Sequence, residues 1–163
     1  MRPLAALVFL AAALLAGAAA QAAETSITEA AARAFVARQD AAWNARNAAA
    51  FAATFTPDAV FIDQAVGSDG KTIPNGRSTL AEATAQARRF FARSRFRQTT
   101  VVGAVTLAPD ARSAQVLAKT TTRIDRPGQP PRTFCALSEQ TLVLVQGRLL
   151  SRGQTDTDVR CPK

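Results

Sequence analysis

Residues 42–63 read AWNARNAAAFAATFTPDAVFID. Asn47 offers a break in a helix-forming run. Ala48 to Phe55 then reads as a second, short helix, with Phe51 and Phe55 one turn apart on one face. Thr56-Pro57-Asp58 is a turn. Ala59-Val60-Phe61-Ile62-Asp63 follows as a short strand rich in β-formers.

Upstream, Ser26-Ile27-Thr28-Glu29 has capping-box form with Ser26 as N-cap. It predicts a long first helix to about Arg46, with Ile27, Ala31, Phe35 and Ala42 near one stripe. Downstream, Gly67 to Gly76 reads as a polar loop. Thr79-Leu80-Ala81-Glu82 is a second capping box, opening a third helix to about Arg93. The chain then changes character. Arg95–Leu107, Arg112–Ile124, Arg132–Val145 and Arg148–Asp158 read as strands separated by short turn signals, an antiparallel meander. Helices segregated from an antiparallel sheet give an α+β class. A bent sheet around the long first helix would enclose a conical cavity.

The first 22 residues stand apart. Met1-Arg2-Pro3 leads into an apolar run from Leu4 to Leu15, and Ala20-Gln21-Ala22 fits a small-residue cleavage site. That is the pattern of a secretory signal peptide. The run is short for a membrane span of about 20 residues. The expectation is a cleaved signal (1–22), a single domain (23–163), no membrane anchor after cleavage, and a periplasmic or secreted location. The two cysteines, Cys135 and Cys161, form an even count in an exported chain, which suggests one disulfide. Two free thiols are the alternative. Closing that loop is worth about 3.5 kcal/mol in the chain-entropy model.

Composition narrows the chemistry. The 163 residues carry a formal net charge of +8 and contain no His and no Tyr. Triads and dyads that need His are excluded. Two cysteines without His argue against a zinc site, so neither a metal nor a cofactor is expected. Basic charge without a nucleic-acid motif does not make a nucleic-acid-binding protein. Arg88, Arg89, Arg93, Arg95 and Arg97 cluster at a helix-to-strand junction and read as a solvated face, with an anionic ligand as the alternative. Residues 65–72, AVGSDGKT, satisfy a relaxed phosphate-loop pattern. That motif needs a helix beginning at its Lys, and Pro74 and Gly76 forbid one.

The phrases Ala42-Trp43-Asn44-Ala45-Arg46-Asn47, Phe51 and Phe55, Thr56 to Asp63, and Gly76-Arg77-Ser78 resemble the nuclear transport factor 2-like superfamily. That superfamily includes the SnoaL-like cyclases and the ketosteroid isomerases. The resemblance implies a cone-shaped α+β roll, three N-terminal helices packed on a curved, mainly antiparallel sheet, with a pocket at the open end. It also implies a homodimer formed through the outer face of the sheet.

Asp63 matches the position of the isomerases' carboxylate base. Burial against apolar walls would raise its pKa toward a useful range. The alternative is a turn cap or an Arg partner. Gln39 matches the position of the isomerases' tyrosine donor, and the second donor would fall near Glu139. Glu139 also stands out by itself, as a carboxylate inside a mostly apolar predicted strand; it is pocket-facing, or else Arg-paired or solvent-facing. Trp43 and Phe61 line or pack the interior. Three functions are open at this point: a binder of a small apolar ligand, a proton-transfer enzyme (isomerase, cyclase or dehydratase) with Asp63 as base, or a dimerising module with a packed cone.

Overall fold

The computed structural model describes residues 25–126 and 128–162. The proposed signal segment lies outside them. Helix α1 (Glu29–Asn44) is followed by α2 (Ala48–Ala52), β1 (Phe55–Val66), β2 (Thr72–Thr79), α3 (Leu80–Arg93), β3 (Arg95–Leu107), β4 (Ser113–Asp125), β5 (Arg132–Val145) and β6 (Arg148–Val159). The six strands form one open sheet in the order β2-β1-β6-β5-β4-β3. Four pairings are antiparallel, and β1 runs parallel to β6. The fold is α+β, as the sequence implied, with a mixed sheet. No helix among the described residues is long and apolar enough to cross a membrane.

Three local readings are corrected. The cap of α1 is Thr28, whose side chain accepts from Ala31 N, instead of Ser26. Ile27 is drawn out of the helix because it is buried and its N–H donates to Ala111 O at 2.7 Å. Phe55 leaves α2 and opens β1, which is twice the length of the core read in the sequence. Most of the expected 67–76 loop is β2, which pairs with β1 as a hairpin. Pro74 is tolerated there because β2 is an edge strand. The hairpin turn at Gly67–Lys71 closes through Gly67 N to Lys71 O, so no helix begins at Lys71. By contrast, α3 carries its full capping box at Thr79 and Glu82.

Two apolar clusters seat the helices. Phe35 and Val36 of α1, with Ile27 and Ala32, pack on Ala114, Val116, Leu142, Leu144 and Leu149. Trp43, at the end of α1, meets Phe51 and Phe91 edge-on at 4.9 and 4.8 Å and lies near Phe90 and Phe96. Asn44 fixes α1 to β3 by donating Nδ2–H to Gln98 O and accepting from Gln98 N. Cys135 and Cys161 are bridged, with Cα atoms 5.2 Å apart, tying β5 to the C-terminal tail. The Arg88, Arg89, Arg93, Arg95 and Arg97 cluster is exposed.

The parallel join between β1 and β6 depends on Gly153. Its φ is +140°, and a Cβ there would sit 1.9 Å from Val60 O. Gly153→Ala is expected to cost about 3 kcal/mol or more and to lower the melting temperature by about 10 °C. A calorimetric scan with an unchanged midpoint would contradict this close approach.

Candidate functional site

The inner face of the sheet, α1 and α3 enclose a cavity of about 290 Å³. Its aromatic lining comes from Trp43, Phe51, Phe61 and Phe90, and its charged lining from Asp40, Asp63 and Asp156, with Phe61 and Asp63 on the same face of β1. No Lys or Arg is among the described residues that line it.

The strands place these groups by register. Asp63 on β1 lies opposite Asp156 on β6, and Asp156 lies opposite Ser138 on β5. Neighbouring strands are about 4.8 Å apart, so the two carboxyls share one patch of wall. Asp63 is exposed while lining the cavity, which puts it at the mouth. Partial burial, and then the charge of Asp158, push its carboxyl above the ordinary aspartate range. Asp156 is deeper. Burial raises it most; the hydrogen bonds that Ser138 and Gln154 give its ionised form oppose this, and the charges of Asp63 and Asp158 raise it further. Gln154 Nε2 donates to both its oxygens, at 2.8 and 2.7 Å.

Four of the five candidates from the sequence come together: Asp63, Gln39, Trp43 and Phe61 all line the cavity. Glu139 does not. It is exposed on the outer face, in a shallow depression beside Arg152 and Thr155. Side chains alternate along a strand. Ser138, Gln140, Leu142 and Leu144 are the buried set of β5, so Glu139 points away. The inward carboxyl that the sequence reading missed is Asp156.

Several buried polar atoms of the lining residues have no partner among the described residues: Gln39 Oε1, Gln140 Oε1 and Trp43 Nε1. Gln39 is anchored by its other end, Nε2 donating to Thr54 Oγ1 at 3.0 Å. Unpaired buried polar groups call for a partner. Here they offer one N–H and two carbonyl oxygens to a guest. Among the described residues no group of three His, Cys, Asp or Glu side chains is arranged to hold a metal ion.

A SnoaL-like domain model matches residues 32–136. The chain belongs to that family. Similar folds occur in several solved structures. A ketosteroid isomerase-like protein from Erwinia carotovora atroseptica is 14% identical, with a TM-score of 0.60, covering 79% of this chain and 94% of that one. ActVI-ORFA from Streptomyces coelicolor is 23% identical, with a TM-score of 0.55 and coverage of 78% and 93%. A candidate scytalone dehydratase from Novosphingobium aromaticivorans is 10% identical, with a TM-score of 0.63 and coverage of 80% and 83%. No curated protein sequence matches the chain. The fold is of the general kind that serves small-molecule binding and isomerase-type domains.

A carboxyl whose native pKa is raised binds its proton more tightly when folded. Its contribution is complete below the unfolded value of about 3.9 and is lost as pH rises through the raised native value. Asn at 156 can still donate to Ser138 and accept from Gln154. Asp156→Asn is therefore expected to match the parent in denaturant unfolding at pH 4 and to exceed it at pH 8. Stability curves that stay parallel between those values would contradict the assignment of Asp156 as a burdened acid.

Proposed function

We propose that the chain is an exported domain that takes a small, largely apolar molecule into its cavity and transfers a proton on it. Asp63 is the base and Asp156 the proton donor. The observation that carries this reading is the pairing of two carboxyls in one cavity, among aromatic side chains and with no Lys or Arg among the described lining residues. Two carboxyls with different burial titrate apart, which divides base from acid.

In this reading the aromatic lining holds the apolar body of the guest. Asp63, at the mouth, takes a proton beside a carbonyl. Asp156, deeper and kept neutral by burial, donates to the oxygen where negative charge gathers. A donor aimed at developing charge typically contributes about 100- to 1,000-fold in rate. Gln39 and Trp43 orient the guest through their unpaired atoms.

The binder reading uses the same cavity without chemistry, and the two separate on a simple probe. 5-Nitrobenzisoxazole opens when a base removes its ring proton, releasing a coloured phenolate. The protein should accelerate the opening beyond free acetate, and Asp63→Asn should lower the rate about 100-fold or more. An unchanged rate in the variant would remove Asp63 as base and leave a binding domain. The open cavity argues against a cone that is packed shut.

Export and dimerisation belong to the same proposal. The signal-like run at residues 1–22 and the Cys135–Cys161 bridge support a periplasmic or secreted location. Val101, Leu117 and Leu137 are exposed on the outer face around Lys119, which supports pairing of two copies there. Native mass spectrometry of protein purified from its host should show a dimer of chains beginning at Ala23. A monomer would contradict the pairing, and a chain retaining residues 1–22 would contradict the cleavage.

A further inference from the structure

A row of hydroxyls crosses the cavity floor, and the acid–base reading leaves it unused. Thr100 on β3, Thr120 on β4 and Ser138 on β5 all line the cavity. Ser138 Oγ meets Asp156 on β6. Thr120 Oγ1 lies 3.2 Å from Ser138 Oγ and 3.3 Å from Thr100 Oγ1. Thr100 Oγ1 lies 2.8 Å from Asp40 Oδ1 on α1. The row runs from one carboxyl to another, Asp156 to Asp40, across four strands.

Counting protons decides its state. The row has four contacts and three hydroxyls, and each hydroxyl owns one proton. If both carboxyls were ionised, one contact would set lone pairs against each other. A fourth proton completes the row, and it has to sit on a carboxyl. Asp40 already accepts from Gln98 Nε2 at 2.7 Å and from Thr100 N at 2.8 Å, which holds it as an acceptor. Thr100 then donates to Asp40, Thr120 to Thr100 and Ser138 to Thr120. Ser138 is left to accept, and Asp156 must donate to it as the neutral acid.

We propose that this row is a proton relay that holds one proton between Asp156 and Asp40. The proton rests on Asp156 and passes to Asp40 by a concerted shift of one proton along each of the four contacts. In that transfer the Asp156 O–H bond breaks as Ser138 Oγ gains the proton. Ser138 gives its own proton to Thr120, Thr120 to Thr100, and Thr100 to Asp40. Asp156 ends ionised and Asp40 neutral, with no change in total charge. Asp40 is thereby a second proton station, able to reload Asp156 without water entering the cavity. That use in turnover rests on the acid–base reading above; the proton count does not. The charged groups around Asp156 are Asp63 on β1 and Asp158 on β6, and both favour the neutral acid, as does burial.

The test needs no substrate. The carboxyl carbons of ¹³C-labelled aspartates are titrated by NMR in the wild-type protein, in Thr120→Val and in Thr100→Val, with Asp156→Asn to assign the signal. The relay requires Asp156 to be neutral at pH 5 in the wild type. Either Val substitution interrupts the row, freeing Ser138 to donate to an ionised Asp156. The midpoint of Asp156 should then fall by about half a unit to one unit. Thr100 is two hydroxyls away from Asp156, so a fall in Thr100→Val also supports the relay if Thr120→Val does not fold. An Asp156 already ionised at pH 5, or a midpoint unmoved in the folded variants, would overturn it. Loss of nitrobenzisoxazole activity in Asp63→Asn bears on the base alone and leaves this result untouched.

Discussion

At residue 153 the chain passes so close to Val60 that only a hydrogen fits where a side chain would start. This contact lies inside a bulge. Leu142 on β5 pairs with Ser151 on β6, and Gln140 pairs with Gln154, so β6 spends one residue more than β5 over the same step. An extra residue reverses which side chains face inward. Before the bulge, Leu149 and Ser151 point to the interior; after it, Gln154 and Asp156 do. The glycine therefore does two things at once. It lets β1 lie parallel against β6, and it turns an aspartate into the cavity beside Asp63.

The rest of the site follows from that placement. Trp43, Phe51, Phe61 and Phe90 make the cavity a poor solvent for charge. Three carboxyls line it, with no Lys or Arg among the described lining residues. In such a setting a carboxyl keeps its proton or finds donors. Asp40 has donors: Gln98, and the backbone and hydroxyl of Thr100. Asp156 has Gln154 as a donor, Ser138 as a neighbour and the deeper burial, and Asp63 reaches the mouth. Three carboxyls in one cavity thus have three different environments, which is the arrangement that acid–base work requires.

Much of this was legible in the residues. The capping box at Thr79 and Glu82 announced α3, and turn chemistry marked the four long strands within a residue or so. Asp63 was found because it follows the β-formers Ala59 to Ile62 at the position that matches the isomerases' base. β2 was not legible, since Pro74 and Gly76 are loop signals in isolation; only pairing at a sheet edge makes them a strand. The orientation of Glu139 was left open for want of a parity check. Leu142 and Leu144 share the parity of Ser138 and Gln140, and that signal alone sends Glu139 outward. Asp156 is the harder case. Simple alternation from Leu149 and Ser151 puts Gly153, Thr155 and Thr157 inside and Asp156 outside. The bulge reverses this, and its cause is a tertiary contact with Val60 that no local pattern encodes.

The central claim is that a bulge at Gly153 turns a carboxyl into the cavity, where it holds its proton above the ordinary aspartate range. Infrared difference spectroscopy reads this directly, because a protonated carboxyl has a carbonyl stretch that a carboxylate lacks. The account predicts, at pH 5, a band in the wild-type protein that Asp156→Asn loses. Spectra of the two folded proteins that coincide in the carbonyl region at pH 5 would contradict it.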